Sequence, residues 1–331
     1  MDARVVYLVL MLSCSIIFSY INGVEGGRKL SKKEDMEFER QLKLLNKPAV
    51  MSIKTEYGDI YDCVDFYKQP AFDHPLSFPK GVRKNGASLE AKPLSIGLKG
   101  GGCPFGTVPI RRTTKDDLRR AKSFSEIYAG NMGTLTKERP GYHVNPTLYG
   151  DNLTRLYTHW AAGEAGCYNT QCPGFIIVNT RIPIDLVFQK TSVSGGEQIE
   201  MGFFIYQDEK NGNWWLNLGI NGIPIGYWPK RLFTNLAVSG FFVGWGGEVV
   251  SPPDLPSPPM GAGLVHVDDP AYAAYCRQIM LVNEAHQSIR ADHTIMYGDV
   301  HHYYDLNDVG DEGIYWGHYL MYGGPGGYKG D

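Results

Sequence analysis

From about residue 141 onward the chain falls into short apolar runs separated by turn residues, and few of the gaps could hold a helix. The runs span 154–160, 175–179, 199–207, 214–219, 223–228 and 241–250. Between them, D-E-K-N-G at 208–212 and Asn221-Gly222 are hairpin signals, since such turns need the positive φ that Gly and Asn tolerate. Strands this short and evenly spaced restrict the fold to an antiparallel sandwich or barrel. The 21 tyrosines and six tryptophans, with 40 Gly and 20 Pro as punctuation, agree with that. One helix is expected over 229–236, with Pro229 in its first turn, and the Pro-rich stretch 251–259 reads as a loop.

Ahead of this sheet-rich part the pattern differs. Residues 31–45 predict a helix with Phe38, Leu42 and Leu45 on one side, stopped by Asn46-Lys47-Pro48. An alternating strand opens 58–75; its Asp59, Asp62 and Asp65 fall on both faces, which favours solvated charges over a metal cluster. Residues 76–102 read as a flexible linker, and 113–122 as a short helix with a Thr cap and early aspartates.

The apolar run 5–18 suits the core of a signal peptide and is short for a membrane span, with an uncleaved anchor as the plain alternative. Residues 1–27 are therefore taken as a signal, with secretion to the extracellular space, cell wall or vacuole and no membrane association after cleavage. Five cysteines remain beyond it, and an oxidising compartment favours pairing of four. Cys167 and Cys172 are close enough to close a small loop, and Cys63 with Cys103 is the second expected pair, leaving Cys276. A metal site at C-x4-C is the weaker alternative, and no cofactor is expected. The sequon at Asn152 predicts a glycan in the same secreted context. A net charge of -3 without a Lys/Arg stripe excludes a dedicated nucleic-acid binder.

The stretch 244–250, G-W-G-G-E-V-V, carries the most chemistry. Read as a strand, it sets Glu248 on one face with Gly244, Gly246 and Val250, and Trp245, Gly247 and Val249 on the other. Glycines beside an acid would let a peptide backbone approach it closely. The plain alternative is an edge-strand charge beside a bulge.

Long segments of this chain resemble the neprosin family of plant secreted proteins. They include the helix-to-strand region from Arg40, C-P-F-G-T-V-P-I-R-R-T from Cys103, N-P-T-L-Y-G-D-N-L-T-R from Asn145 and G-C-Y-N-T-Q-C-P-G-F from Gly166. G-N-W-W-L from Gly212, I-G-Y-W-P from Ile225, W-G-G-E-V from Trp245 and Y-G-G-P-G-G from Tyr322 continue the match in order. The resemblance implies a glutamic endopeptidase that cuts after proline at acid pH and is made as a zymogen. It implies an α+β activation propeptide over 28–122, which is the domain's own partner, and a double-sheet β-sandwich peptidase domain over 123–331. It also implies a pair of catalytic glutamates, of which Glu248 is one. A metal-free hydrolase of this kind needs one ionised carboxylate to take a proton from water and one neutral carboxyl to donate.

The second glutamate is where the chain departs. The family's I-E-x-G-W stretch corresponds to E-R-P-G-Y at 138–142, so Arg139 occupies the catalytic position and Glu138 lies one residue early. On a strand that offset turns a side chain to the other face. The segment 123–138 is also short, lacking strands the family carries there, which leaves an incomplete sandwich with exposed core or an unpaired edge. Three functions follow from these residues. The first is an acid peptidase on proline-containing peptides or proteins. The second is a weak or inactive member that binds proline-rich extracellular proteins through a groove lined by Trp214, Trp215, Tyr227 and Trp228; core packing is the alternative for these aromatics. The third, ranked last, is a metal-binding tail using His293, His301, His302 and His318.

Overall fold

The computed structural model describes residues 9–11, 31–73, 96–129, 137–162, 165–240, 242–251, 255–264, 268–298 and 302–328. Most of the signal region, most of the linker, part of the short segment 123–138, part of the Pro-rich loop and His301 lie outside these residues.

The first described element is β1 (Val9–Met11), and α1 (Lys32–Leu45) follows. Helix α1 starts where sequence chemistry starts it. Ser31 accepts from the Glu34 N–H, and the Glu34 carboxylate returns a bond to the Ser31 N–H, satisfying two otherwise unpaired donors. Three antiparallel strands come next: β2 (Ala49–Lys54), β3 (Ile60–Asp65) and β4 (Thr107–Arg111). Helix α2 (Lys115–Ala129) is opened by a reciprocal Thr114–Asp117 cap, and its Leu118 packs on Phe38 and Leu45 of α1.

A second antiparallel sheet holds β5 (Lys137–Val144), β6 (Thr154–Ala162) and β7 (Ala165–Tyr168), with the short helix α3 (Pro146–Tyr149) between the first two. Third is a four-stranded sheet of β8 (Ile176–Ile177), β9 (Phe203–Gln207), β10 (Trp214–Leu218) and β11 (Ile223–Trp228), in the order β8-β11-β10-β9. The two hairpin signals are real turns here. The Asp208 carboxylate accepts from Lys210 and Asn211, while Gly219 and Gly222 take φ of 71° and 60°. Where a helix was expected over 229–236, the chain makes two 3₁₀ turns, Lys230–Leu232 and Asn235–Ala237. Four residues after Pro229, Phe233 is already extended and buried in the core, which ends the first turn.

Strand β12 (Gly244–Gly246) is much shorter than the run 241–250 predicted; it ends at Gly246, which has φ of 149°. It pairs in parallel with β1. The C-terminal part adds β13 (Ala274–Cys276), β14 (Met280–Val282), β15 (Ser288–Arg290), β16 (Asp305–Asp311) and β17 (His318–Gly323), with ladders β13-β17-β16 and β14-β15. The protein is thus mainly β, in several antiparallel sheets that do not close a barrel, behind a small α+β segment.

The largest core joins these parts. Tyr61, Val64, Val108 and Ile110 of the N-terminal sheet share one apolar cluster with Leu156, Trp160, Phe175, Trp214, Leu216 and Trp228. A second cluster, around Val243, Met260, Cys276 and Leu320, sits beneath β12 and the C-terminal sheet. Disulfides join Cys63 to Cys103 and Cys167 to Cys172, and Cys276 is free and buried. Burial pushes its thiol up to about 12, so it is an inert thiol at neutral pH.

Candidate active site

Glu248 stands just past β12, half-buried. The two residues that follow it are anchored in different clusters. Val249 packs with the cluster of Val243 and Met260, while Val250 packs with Phe124, Leu148 and Tyr149. The glycines have two different physical roles. A Cβ on Gly246 would meet nothing within 4 Å, and its positive φ is the constraint there. A Cβ on Gly247 would sit 2.3 Å from Met260 Sδ and 2.7 Å from a Tyr322 ring carbon, so this glycine makes room for the protein's own core rather than for a ligand. Gly247→Ala is accordingly expected to destabilise the chain by about 1–3 kcal/mol through overpacking. Urea unfolding of the variant at neutral pH measures it, and a loss within error would mean that Met260 simply swings aside.

The other candidate position lies on β5, in a different sheet from β12. Register decides its faces. Glu138 pairs with Trp160, and Arg139 pairs with His159. Trp160, with Leu156 four pairs along, belongs to the main core, whereas His159, Tyr157 and His143 form a separate stack with Tyr168. Opposed residues of an antiparallel pair share a face, so position 138 falls on the core face and 139 on that of the His–Tyr stack. Tyr168 also packs in the cluster that Val250 joins, two residues from Glu248.

Beside this stack runs a buried charge network that sequence reasoning missed. Arg155 on β6, 1% exposed, donates to Asp59 Oδ2 at 2.7 Å, to Asp151 Oδ2 at 2.7 Å and to the Asp185 carbonyl at 3.1 Å. Arg111 on β4 bridges Asp59 and Asp117 at 2.9 and 3.2 Å. Burial opposes the charge of Arg155, yet the carboxylates of Asp151 and Asp59 hold its pKa above the ordinary value. Burial likewise raises Asp185, although Arg111, the Tyr149 hydroxyl and Arg155 pull it down. Tyr149 donates to Asp185 at 2.5 Å, and Asn169 donates to the same carboxylate oxygen. Asp59 and Asp62 are therefore buried and paired, Asp62 with Arg112, and not the solvated charges that strand alternation suggested.

The remaining expectations divide. Trp214 and Trp228 are 1% and 0% exposed, and Tyr227 is 3%; these are core residues, not a groove. Trp215 is half-buried and stacks on Tyr227 at 4.9 Å. Among the described residues no three His, Cys, Asp or Glu side chains gather as a metal site, and His318 instead pairs with Asp308 at 2.8 Å. Asn152 is exposed in the turn before β6.

Comparison with known protein families gives two matches. Residues 120–325 match the family described as Neprosin, and residues 52–148 match the one described as Neprosin activation peptide.

Proposed function

The chain belongs to the neprosin family and carries that family's activation peptide ahead of a protease-type domain, and on that premise we propose that it is a secreted zymogen homologue whose binding function outlasts its hydrolysis. It takes proline-containing extracellular polypeptides as the family does, and cuts them slowly or not at all. One observation carries this reading: the ladder of β5 pairs Arg139, not Glu138, with His159. A guanidinium is charged at any working pH and can neither take a proton from water nor share one with Glu248. Losing one member of an acid pair removes roughly 10²–10⁴-fold of general acid–base help.

The test is digestion of a proline-containing peptide at acid pH by the purified full chain, analysed by mass spectrometry for cuts after proline. The expected result is no cleavage above that of a Glu248→Gln variant. A clear rate that Glu248→Gln abolishes would overturn the reading, and Glu138→Gln would then be the next variant to assay. Arg139→Glu is expected to recover at most a small part of the family's rate, because segment 123–138 lacks strands that shape the site.

Secretion with signal cleavage before about residue 28 and a glycan on Asn152 belongs to the same proposal. Mass spectrometry of the protein from a eukaryotic culture medium reads both. An intact N-terminus with unmodified Asn152 would refute it.

A further inference from the structure

Strand β9 ends its sheet, and the direction of its free backbone groups can be read from its ladder. The Gly219 N–H donates to the Gly202 carbonyl, and the Asp208 N–H donates to the Asn213 carbonyl. The register between them runs without a break from Leu218↔Phe203 to Trp214↔Gln207. Even-numbered residues from 202 to 208 therefore turn their backbone groups toward β10, and the residues between turn theirs away. The N–H and C=O groups of Phe203, Ile205 and Gln207 face outward, and no backbone partner meets them among the described residues.

This edge opens onto a groove of about 1450 Å³. Across it stand β13, itself the last strand of its sheet, and β14. The lining is largely apolar, and some of it is unusually bare: Phe204 is 42% exposed, Val238 80% and Ile220 99%. Of its charged groups, Glu200 and Arg277 satisfy each other, while Glu284 stands at the β14 end. Glu200 takes a bidentate bond from Arg277, at 2.8 and 2.5 Å, and a third from the Tyr275 hydroxyl. Glu248 is not part of the lining.

We propose that this groove binds an extended polypeptide segment of another protein, added as a further strand on β9. The backbone groups specify the ligand class, because alternating outward N–H and C=O groups are complementary to another strand's backbone. Five residues along β9 span about 17 Å, and the ligand must offer an N–H at every second residue over that length. Proline at those positions is excluded, which separates this ligand from the proline-rich one proposed above. Its side chains toward the groove are mainly apolar, since the lining is largely apolar and Glu200 and Arg277 already satisfy each other. A second copy of this chain fits less well: its β9 is recessed behind the same wall of β13 and β14 and would have to bring that wall along.

The experiment is amide-resolved hydrogen exchange by NMR on the full chain, with acetyl-Thr-Val-Thr-Val-Thr-Val-amide as the probe. The amides of Phe203, Ile205 and Gln207 should slow by about tenfold or more with the probe, while Phe204 and Tyr206, already bonded to β10, stay unchanged. A probe with proline at every second residue should protect none of them. Gln207→Pro removes one outward N–H but also the side-chain bonds of Gln207 to the Gly212 and Ala237 carbonyls, so Gln207→Ala is its control; Gln207→Pro should weaken probe binding about tenfold relative to that control. Phe204→Lys, a change on an exposed side chain, should weaken it as well. No protection at millimolar probe, or equal protection by the proline probe, would overturn the proposal. So would a dimer in sedimentation whose formation slows the same three amides without probe, since the occupant would then be a second copy.

Discussion

Arg155→Met is expected to lower the unfolding free energy by about 3–5 kcal/mol, measured by urea unfolding of the full chain at neutral pH. Methionine nearly matches the stem of arginine in volume, so the loss is electrostatic rather than a cavity. It leaves Asp59, 8% exposed, with Arg111 as its remaining cation, and leaves the fully buried side of Asp185 with one counter-charge fewer. It also removes a cation stacked 4.7 Å over the Tyr149 ring. Arg155→Lys should recover little, because a single ammonium cannot reach Asp59, Asp151 and the Asp185 carbonyl in three directions. An exposed helix pair such as Arg40–Glu37 serves as the control, and its removal should have no measurable effect. If Arg155→Met unfolds like the parent, the network is dispensable. The functional consequence concerns how the activation segment is held. Asp59 and Arg111 belong to that segment and Arg155 to the sandwich, so one buried cation ties the two together across 96 residues of sequence.

That network also marks the limit of what could be read in advance. Features set by neighbours in sequence were legible: the Ser31 cap of α1, the Thr cap of α2, and the turns at 208–212 and 219–222 all follow from two to five residues. Features set by distant partners were not. Nothing near Asp59 says that Arg155 will bury it. Strand β16, D-L-N-D-V-G-D, has no apolar alternation and is a strand only because β17 pairs with it. Strand β12 ends at Gly246, whose positive φ no alternation pattern reveals. The aromatic positions Trp214 and Trp228 suited a groove or a core equally well by composition. They are directly opposed across the β10–β11 ladder and both face the main cluster.

Acid should weaken this fold through one histidine on the strand that carries position 139. His143 is 7% exposed, stacks on Tyr157 at 4.2 Å and has a buried Nε2 with no hydrogen-bond partner among the described residues. Burial, and then the Arg155 cation paired directly opposite it, push its pKa from 6.5 down to about 3. The unfolded chain takes up this proton as pH falls through 6.5, while the folded chain refuses it until about 3. Stability from this group is therefore complete above 6.5 and is lost progressively between 6.5 and 3. Asp185 works in the opposite sense: its raised pKa lets the folded chain bind a proton more readily than the unfolded one, adding stability as pH falls. Comparing variants separates the two. Between pH 7 and pH 4 the parent should lose about 3 kcal/mol more than His143→Phe does, whatever the two stabilities are at pH 7. Urea unfolding at a series of pH values reads that difference directly, and parallel curves would show that His143 is protonated in the folded chain after all. Phenylalanine keeps the ring on Tyr157, so the comparison tests the proton and not the packing.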